Sequence, residues 1–131
     1  MSDIPVPQSD KTFEEISKQI WDHTFARNWQ HNPPRSLVIS IALEANELLE
    51  HFQWQDQSVG NKEELAAELA DIFIYAFQFA HRYNIDIPQA IETKLQKAGE
   101  KYPIEDFKDK SKEEQRKAWI AKKTSYKKNG L

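Results

Sequence analysis

At 131 residues, 39% hydrophobic and 30% charged, the chain has the size of one domain and enough apolar material for a core, though a thin one for a lone subunit. Three glycines argue against a turn-rich all-β fold, the common Gly-rich phosphate loops are missing, and the lack of cysteine excludes thiol catalysis, disulfides and Cys-based zinc sites. The net charge of −3 does not point to nucleic acid as the main partner; it is unevenly spread, because Arg116, Lys117, Lys122, Lys123, Lys127 and Lys128 have no acidic neighbour from Gln115 onward, and subtracting their +6 from −3 leaves −9 on the first 114 residues.

The opening Met1–Asp10 stretch is acidic, contains proline and has no apolar run, so it does not read as a secretory signal and a cytoplasmic protein is expected. A first helix is predicted from about Phe13 to Trp29, started by a Thr12/Glu15 capping box and carrying an apolar stripe of Phe13, Ile16, Ile20 and Phe25. Asn32-Pro33-Pro34-Arg35 breaks it. Ser36 is the expected N-cap of a second helix reaching about Trp54. After a loop at Asp56–Gly60, Asn61 with Glu64 caps a third helix ending near Tyr83. Asp86 with Gln89 caps a fourth, with Pro88 tolerated in its first turn and Tyr102 as its end before Pro103. Beyond Phe107 the chain reads as weakly structured, with at most a short helix over Lys112–Lys123. The expected fold is therefore an all-α, four-helix bundle over residues 1–107 followed by a basic tail, 108–131.

The third helix is the most informative. From Leu65 to Ala80, twelve of sixteen residues are Leu, Ala, Ile or Phe, which places the helix inside the protein. It is too short and too carboxylated for a membrane span. The four exceptions, Glu68, Asp71, Tyr75 and Gln78, are spaced three, four and three apart, so a single polar line runs along it, extended by Glu64 and Arg82. The second helix repeats the arrangement with Ser40, Glu44, Glu47 and His51 on one face. Glu at i, i+3 is common on solvated helix faces, but two such pairs on two otherwise apolar helices are harder to dismiss. Buried carboxylates need cations or protons, and neither run supplies a lysine or arginine. Hard oxygen donors at this spacing suit Mg²⁺ or Mn²⁺. A di-iron centre is disfavoured, since neither Glu44 nor Glu68 is followed by His three residues on.

Glu44-x-x-Glu47 followed by Glu68-x-x-Asp71 resembles the metal motif of the all-α nucleotide pyrophosphatases, the superfamily of MazG, dimeric dUTPases and dCTP pyrophosphatases. The similarity extends to Arg27-Asn28-Trp29, Pro34-Arg35-Ser36-Leu37, the run from Glu44 to Trp54, Glu68-Leu-Ala-Asp71-Ile-Phe-Ile-Tyr75 and Lys101-Tyr102-Pro103, covering roughly Thr12 to Pro103. The resemblance implies Mg²⁺-dependent hydrolysis of a nucleoside triphosphate to a monophosphate and pyrophosphate. Glu44, Glu47, Glu68 and Asp71 would hold the metal, and Glu47 would also orient or deprotonate the attacking water. Lys94, Lys101 and Tyr102 match the phosphate-contacting positions, although lysines are usually just solvated. Phe25, Trp29, His31 and Trp54 match the base pocket, with core packing an equal reading for Phe25. The family's Asn stands as Ala98 here, and the basic extension has no counterpart in the pattern; it is a solvated tail or a cover for a neighbouring subunit's triphosphate.

The resemblance and the apolar third helix together imply a homo-oligomer, a tetramer in preference to a dimer, with no membrane partner. dCTP and its modified forms are the favoured substrates, followed by damaged or non-standard triphosphates. The rival reading is a non-catalytic helical module that binds a protein or nucleotide and neither needs Mg²⁺ nor depends on Glu68.

Overall fold

The structure is a computed structural model and describes residues 8–128; the secretory-signal reading of the N-terminus falls partly on residues 1–7, outside the described set. All regular structure among the described residues is helical: α1 (Phe13–Ala26), α2 (Pro34–Glu50), α3 (Lys62–Arg82), α4 (Ile87–Lys101), a 3₁₀ turn (Ile104–Asp106) and α5 (Lys112–Lys128). The all-α class expected from the sequence holds. The chain divides into two compact units, residues 1–85 with α1 to α3 and residues 86–131 with α4 and α5.

Three of the helix starts follow from local capping chemistry. Thr12 and Glu15 form the reciprocal box on α1, Asn61 accepts from the Glu64 amide at 2.9 Å, and Asp86 accepts from the Gln89 amide at 2.9 Å. α2 departs from expectation. It begins at Pro34, two residues before Ser36, with Pro33 as an extended N-cap that makes no side-chain bond. Proline needs no amide partner at the first helical position, and its fixed φ starts the helix there.

The ends of α1 and α2 also differ from the sequence reading, while α3 and α4 end within one residue of it. α1 stops at Ala26 rather than Trp29 because Asn28 turns left-handed at φ 57°. The Asn28 amide then bonds Phe25 O and the Trp29 amide bonds Thr24 O, both at 3.0 Å, which satisfies the last carbonyls in a Schellman motif. α3 ends the same way, with Asn84 at φ 52° and the Ile85 amide 2.8 Å from Ala80 O. α2 stops at Glu50, four residues short of Trp54. There the Phe52 amide bonds Leu49 O, three residues back, at 2.9 Å and the Val59 amide returns to His51 O at 2.9 Å, folding the loop onto the helix end.

The C-terminal segment is a further correction. α5 is a 17-residue helix, not a weakly structured tail. Ser111 accepts from the Glu114 amide at 3.2 Å as an N-cap, and Gln115 Nε2 donates to Phe107 O at 2.9 Å and Lys110 O at 3.1 Å. Lys122 pairs with Asp106 at 3.5 Å, and Lys101 Nζ sits 4.7 Å from the Tyr126 ring.

In the first unit α3 packs more extensively on α2 than on α1. Among the described residues, buried side chains are few: Thr24, Leu37, Phe77, Gln78 and Ala80. Phe77 meets Phe13 edge-on at 4.6 Å, and Trp21 stacks on His81 at 3.6 Å. Leu43, Leu69 and Phe73 remain exposed, so the chain by itself leaves much of the α2 and α3 apolar surface uncovered. No helix among the described residues is long and apolar enough to cross a membrane.

Leu37 is the least exposed apolar side chain among the described residues, only 2% exposed. Leu37→Ala is expected to destabilise the protein by about 2–5 kcal/mol in chemical denaturation, and Leu43→Ala by much less.

Candidate functional site

Where α2 and α3 pack together, the apolar stripes that join them carry their carboxylates into the same place. Glu44, Glu68 and Asp71 each offer an oxygen, and the three lie within 4.8 Å of one another. All three side chains are half-buried. Glu47, one turn beyond Glu44 on α2, stands close enough to Glu44 and Glu68 to raise both carboxyls.

The electrostatics follow from this crowding. Burial raises the Glu44 carboxyl above its ordinary value; Glu47 beside it and the charges of Asp71 and Glu68 raise it further. Burial likewise raises Glu68, with Glu47 adding to the rise and His51 opposing it. Glu44 Oε2 is buried and has no hydrogen-bond partner. A buried carboxylate oxygen with no donor, facing further carboxylates, fits a hard divalent cation. The donor set is therefore suited to holding one.

Two residues at this site were not among those the sequence singled out as functional. His51 Nε2 lies 3.6 Å from Glu68 Oε1, and both side chains are largely shielded. The ring rests against the returning loop at Gly60, where a β-carbon would come within 2.5 Å of His51 Cε1. Ser58 fixes that loop, accepting from the Gly60 amide at 3.0 Å and donating to the Gly60 carbonyl at 2.9 Å. The available signals were the place of His51 on the α2 polar stripe and the rarity of glycine. Glu47, Glu50, His51, Val59 and Glu68 line an open recess of about 390 Å³ beside the carboxylates.

The aromatic candidates sit at the ends of helices and in loops. Phe25 is exposed in the last turn of α1, and Trp29 is half exposed just beyond it, with Arg27 5.9 Å over its ring and His23 6.1 Å away edge-on. His31 is exposed in the loop before α2, and Trp54, 88% exposed, stands in the bent segment after it. These side chains are available to a ligand rather than committed to a core. Lys94, Lys101 and Tyr102 belong to the second unit, where they line one recess of about 560 Å³ together with Lys97 and Ala98. The small Ala98 side chain adds no polar group to that recess. Lys101 Nζ lies 5.2 Å from the Tyr102 ring.

Comparison with known proteins adds independent findings. The family model for the MazG-like family matches residues 39–116. The chain is 33% identical over 105 residues to dCTP pyrophosphatase 1 of Bos taurus, covering 73% of this chain and 62% of that protein. It is 31% identical over 103 residues to dCTP pyrophosphatase 1 of Homo sapiens, covering 72% of this chain and 61% of that one. The chain thus spans about three fifths of the length of these curated relatives. The crystal structure of a pyrophosphatase from Archaeoglobus fulgidus superposes with a TM-score of 0.64 at 29% identity, covering 76% of this chain and 99% of that one.

The raised carboxyls predict a pH dependence for the metal-free protein. The folded chain holds the Glu44 and Glu68 protons more tightly than the unfolded chain does. Their stabilising contribution is fully present below the ordinary value of 4.5 and is lost as pH rises through the raised folded values. Glu44→Gln is therefore expected to gain stability relative to the wild type as pH rises through this window, measured by thermal denaturation. Added Mg²⁺ should stabilise the wild type most near neutral pH, where the carboxylates are ionised. Parallel pH profiles for the two proteins would contradict the raised carboxyls.

Proposed function

The chain belongs to the MazG-like family, and from that membership we propose that it is a nucleoside triphosphate pyrophosphohydrolase, releasing pyrophosphate and a nucleoside monophosphate. The observation that carries the proposal is the meeting of Glu44, Glu68 and Asp71 from two helices, with one buried oxygen of Glu44 lacking any donor. The names of the curated relatives and of the solved structure support the same reaction class.

In this reading Glu44, Glu68 and Asp71 hold Mg²⁺, for which Mn²⁺ can substitute, with Glu47 as the fourth carboxylate. The cation would neutralise triphosphate charge and lower the pKa of water at the site. Glu47, which acts on both Glu44 and Glu68, would orient the attacking water or take its proton. His51 stands beside Glu68, and Gly60 leaves room for its ring. Lys94, Lys101 and Tyr102 bind phosphate oxygens, so that the transfer rests mainly on positioning and charge stabilisation. Trp29, Trp54 and Phe25 supply faces for the base, and His31 supplies a polar contact. Among substrates we favour dCTP and its modified or non-standard counterparts, with Ala98 shifting preference away from that of Asn-bearing relatives.

We further place the hydrolase domain at residues 1–107, with 108–131 as a basic appendage, in a cytoplasmic protein that clears unwanted nucleotides. The uncovered apolar faces of α2 and α3 support a homo-oligomer, a tetramer in preference to a dimer. Light scattering at micromolar concentration is expected to give a multiple of the monomer mass; a monomer would contradict the assembly.

Pyrophosphate release from a panel of standard and modified nucleoside triphosphates tests the reaction. Release is expected with Mg²⁺, not with EDTA, and Glu68→Gln is expected to lower kcat/KM by about 100-fold or more. A folded protein that releases pyrophosphate from none of them would sink the proposal and favour a non-catalytic binding module.

A further inference from the structure

Arg82 closes α3 and is the outermost member of the stripe Glu68, Asp71, Tyr75, Gln78, Arg82. No carboxylate pairs with it among the described residues. Instead its Nη1 donates to two backbone carbonyls, Gln30 O at 3.2 Å and Asn32 O at 2.5 Å, across 52 and 50 residues of sequence. Those two carbonyls flank His31, and Trp29 opens the same loop.

The loop needs such an anchor. α1 has ended in its Schellman turn, two prolines follow before α2 is under way, and the only loop-internal backbone bond beyond that turn is the Asn32 amide to Trp29 O at 3.2 Å. Beneath the loop lie Thr24 and Leu37, the two least exposed side chains among the described residues, so the Arg82 clamp fastens it onto the best-packed part of the first unit. One nitrogen serves both carbonyls with its two hydrogens, and the planar guanidinium fixes the direction of each bond.

The same rigid helix carries the carboxylates. Asp71 and Arg82 are eleven residues apart on α3, or roughly 16 Å along its axis. That length is on the scale of an extended nucleoside triphosphate. α3 thus fixes how far the loop with Trp29 and His31 stands from Glu68 and Asp71.

We propose that Arg82 is a positioning residue for nucleobase recognition: by clamping the α1–α2 loop to the end of α3, it presents Trp29 and His31 at a set distance from the carboxylates and so determines discrimination among bases. This rests on the reading of the chain as a nucleoside triphosphate pyrophosphohydrolase. Arg82 itself touches backbone, not substrate.

The test measures binding by calorimetry, with Mg²⁺ present, of α,β-non-hydrolysable analogues of the four deoxynucleoside triphosphates and of the baseless deoxyribose triphosphate. Arg82→Ala is expected to weaken the best-bound nucleotide about tenfold, to collapse the ratio between best and worst base, and to leave the baseless ligand unchanged. Arg82→Lys should restore part of the ratio; it also serves as the test variant if Arg82→Ala does not fold. Hydrogen exchange at the Trp29 and Asn32 amides should quicken in Arg82→Ala. An unchanged base ratio, or equal weakening of the baseless ligand, would overturn the role of Arg82. A wild type that binds none of the analogues would instead overturn the nucleotide reading on which it rests.

Discussion

Carboxylates forced together between two otherwise apolar helices are the constraint on which this structure turns. α2 and α3 pack because their leucine, isoleucine, alanine and phenylalanine faces leave water, and that same packing carries Glu44, Glu68 and Asp71 into mutual contact with Glu47 beside them. A chain selected only for stability would place apolar groups there, since unpaired buried charge costs more than the packing returns. Protons can relieve the repulsion at low pH, and a divalent cation relieves it at neutral pH. The elements around the site read as support for that arrangement: His51 beside Glu68, Gly60 beneath the His51 ring, and Ser58 holding the loop.

A second constraint is the small core. Among the described residues, buried side chains are few and cluster around the α1–α2 loop and the C-terminal half of α3, while leucines and phenylalanines nearer the carboxylates stay exposed. The well-packed end holds the α1–α2 loop, and the other end leaves apolar surface uncovered. α3 links the two, with metal-type donors in its first half and the Arg82 clamp in its last turn.

Much of this was legible in the sequence because it depends on local periodicity. The capping pairs Thr12/Glu15, Asn61/Glu64 and Asp86/Gln89 act within one turn, and each lies where its helix begins. The spacing of Glu44, Glu47, Glu68 and Asp71 places them on helix faces before any packing is known. The end of α1 was harder, because Asn28 adopts a left-handed turn that asparagine tolerates but does not demand, whereas the end of α3 near Tyr83 was read within one residue. α5 went unread as a full helix because it has almost no apolar stripe; its Ser111/Glu114 cap was available in the sequence, and its tie from Lys122 to Asp106 was not. The contacts of His51 with Glu68, of His51 with Gly60 and of Arg82 with Gln30 and Asn32 are tertiary, and no window of sequence holds both partners of the Arg82 clamp.

The central claim is that the α2–α3 carboxylates form a divalent-cation site. Its most direct test is an electron paramagnetic resonance titration of nucleotide-free protein with Mn²⁺, repeated with Asp71→Asn. Saturable binding that Mg²⁺ displaces and Asp71→Asn removes is the predicted result. A folded protein that leaves the Mn²⁺ signal that of the free ion, or binding indifferent to Asp71→Asn, would contradict it.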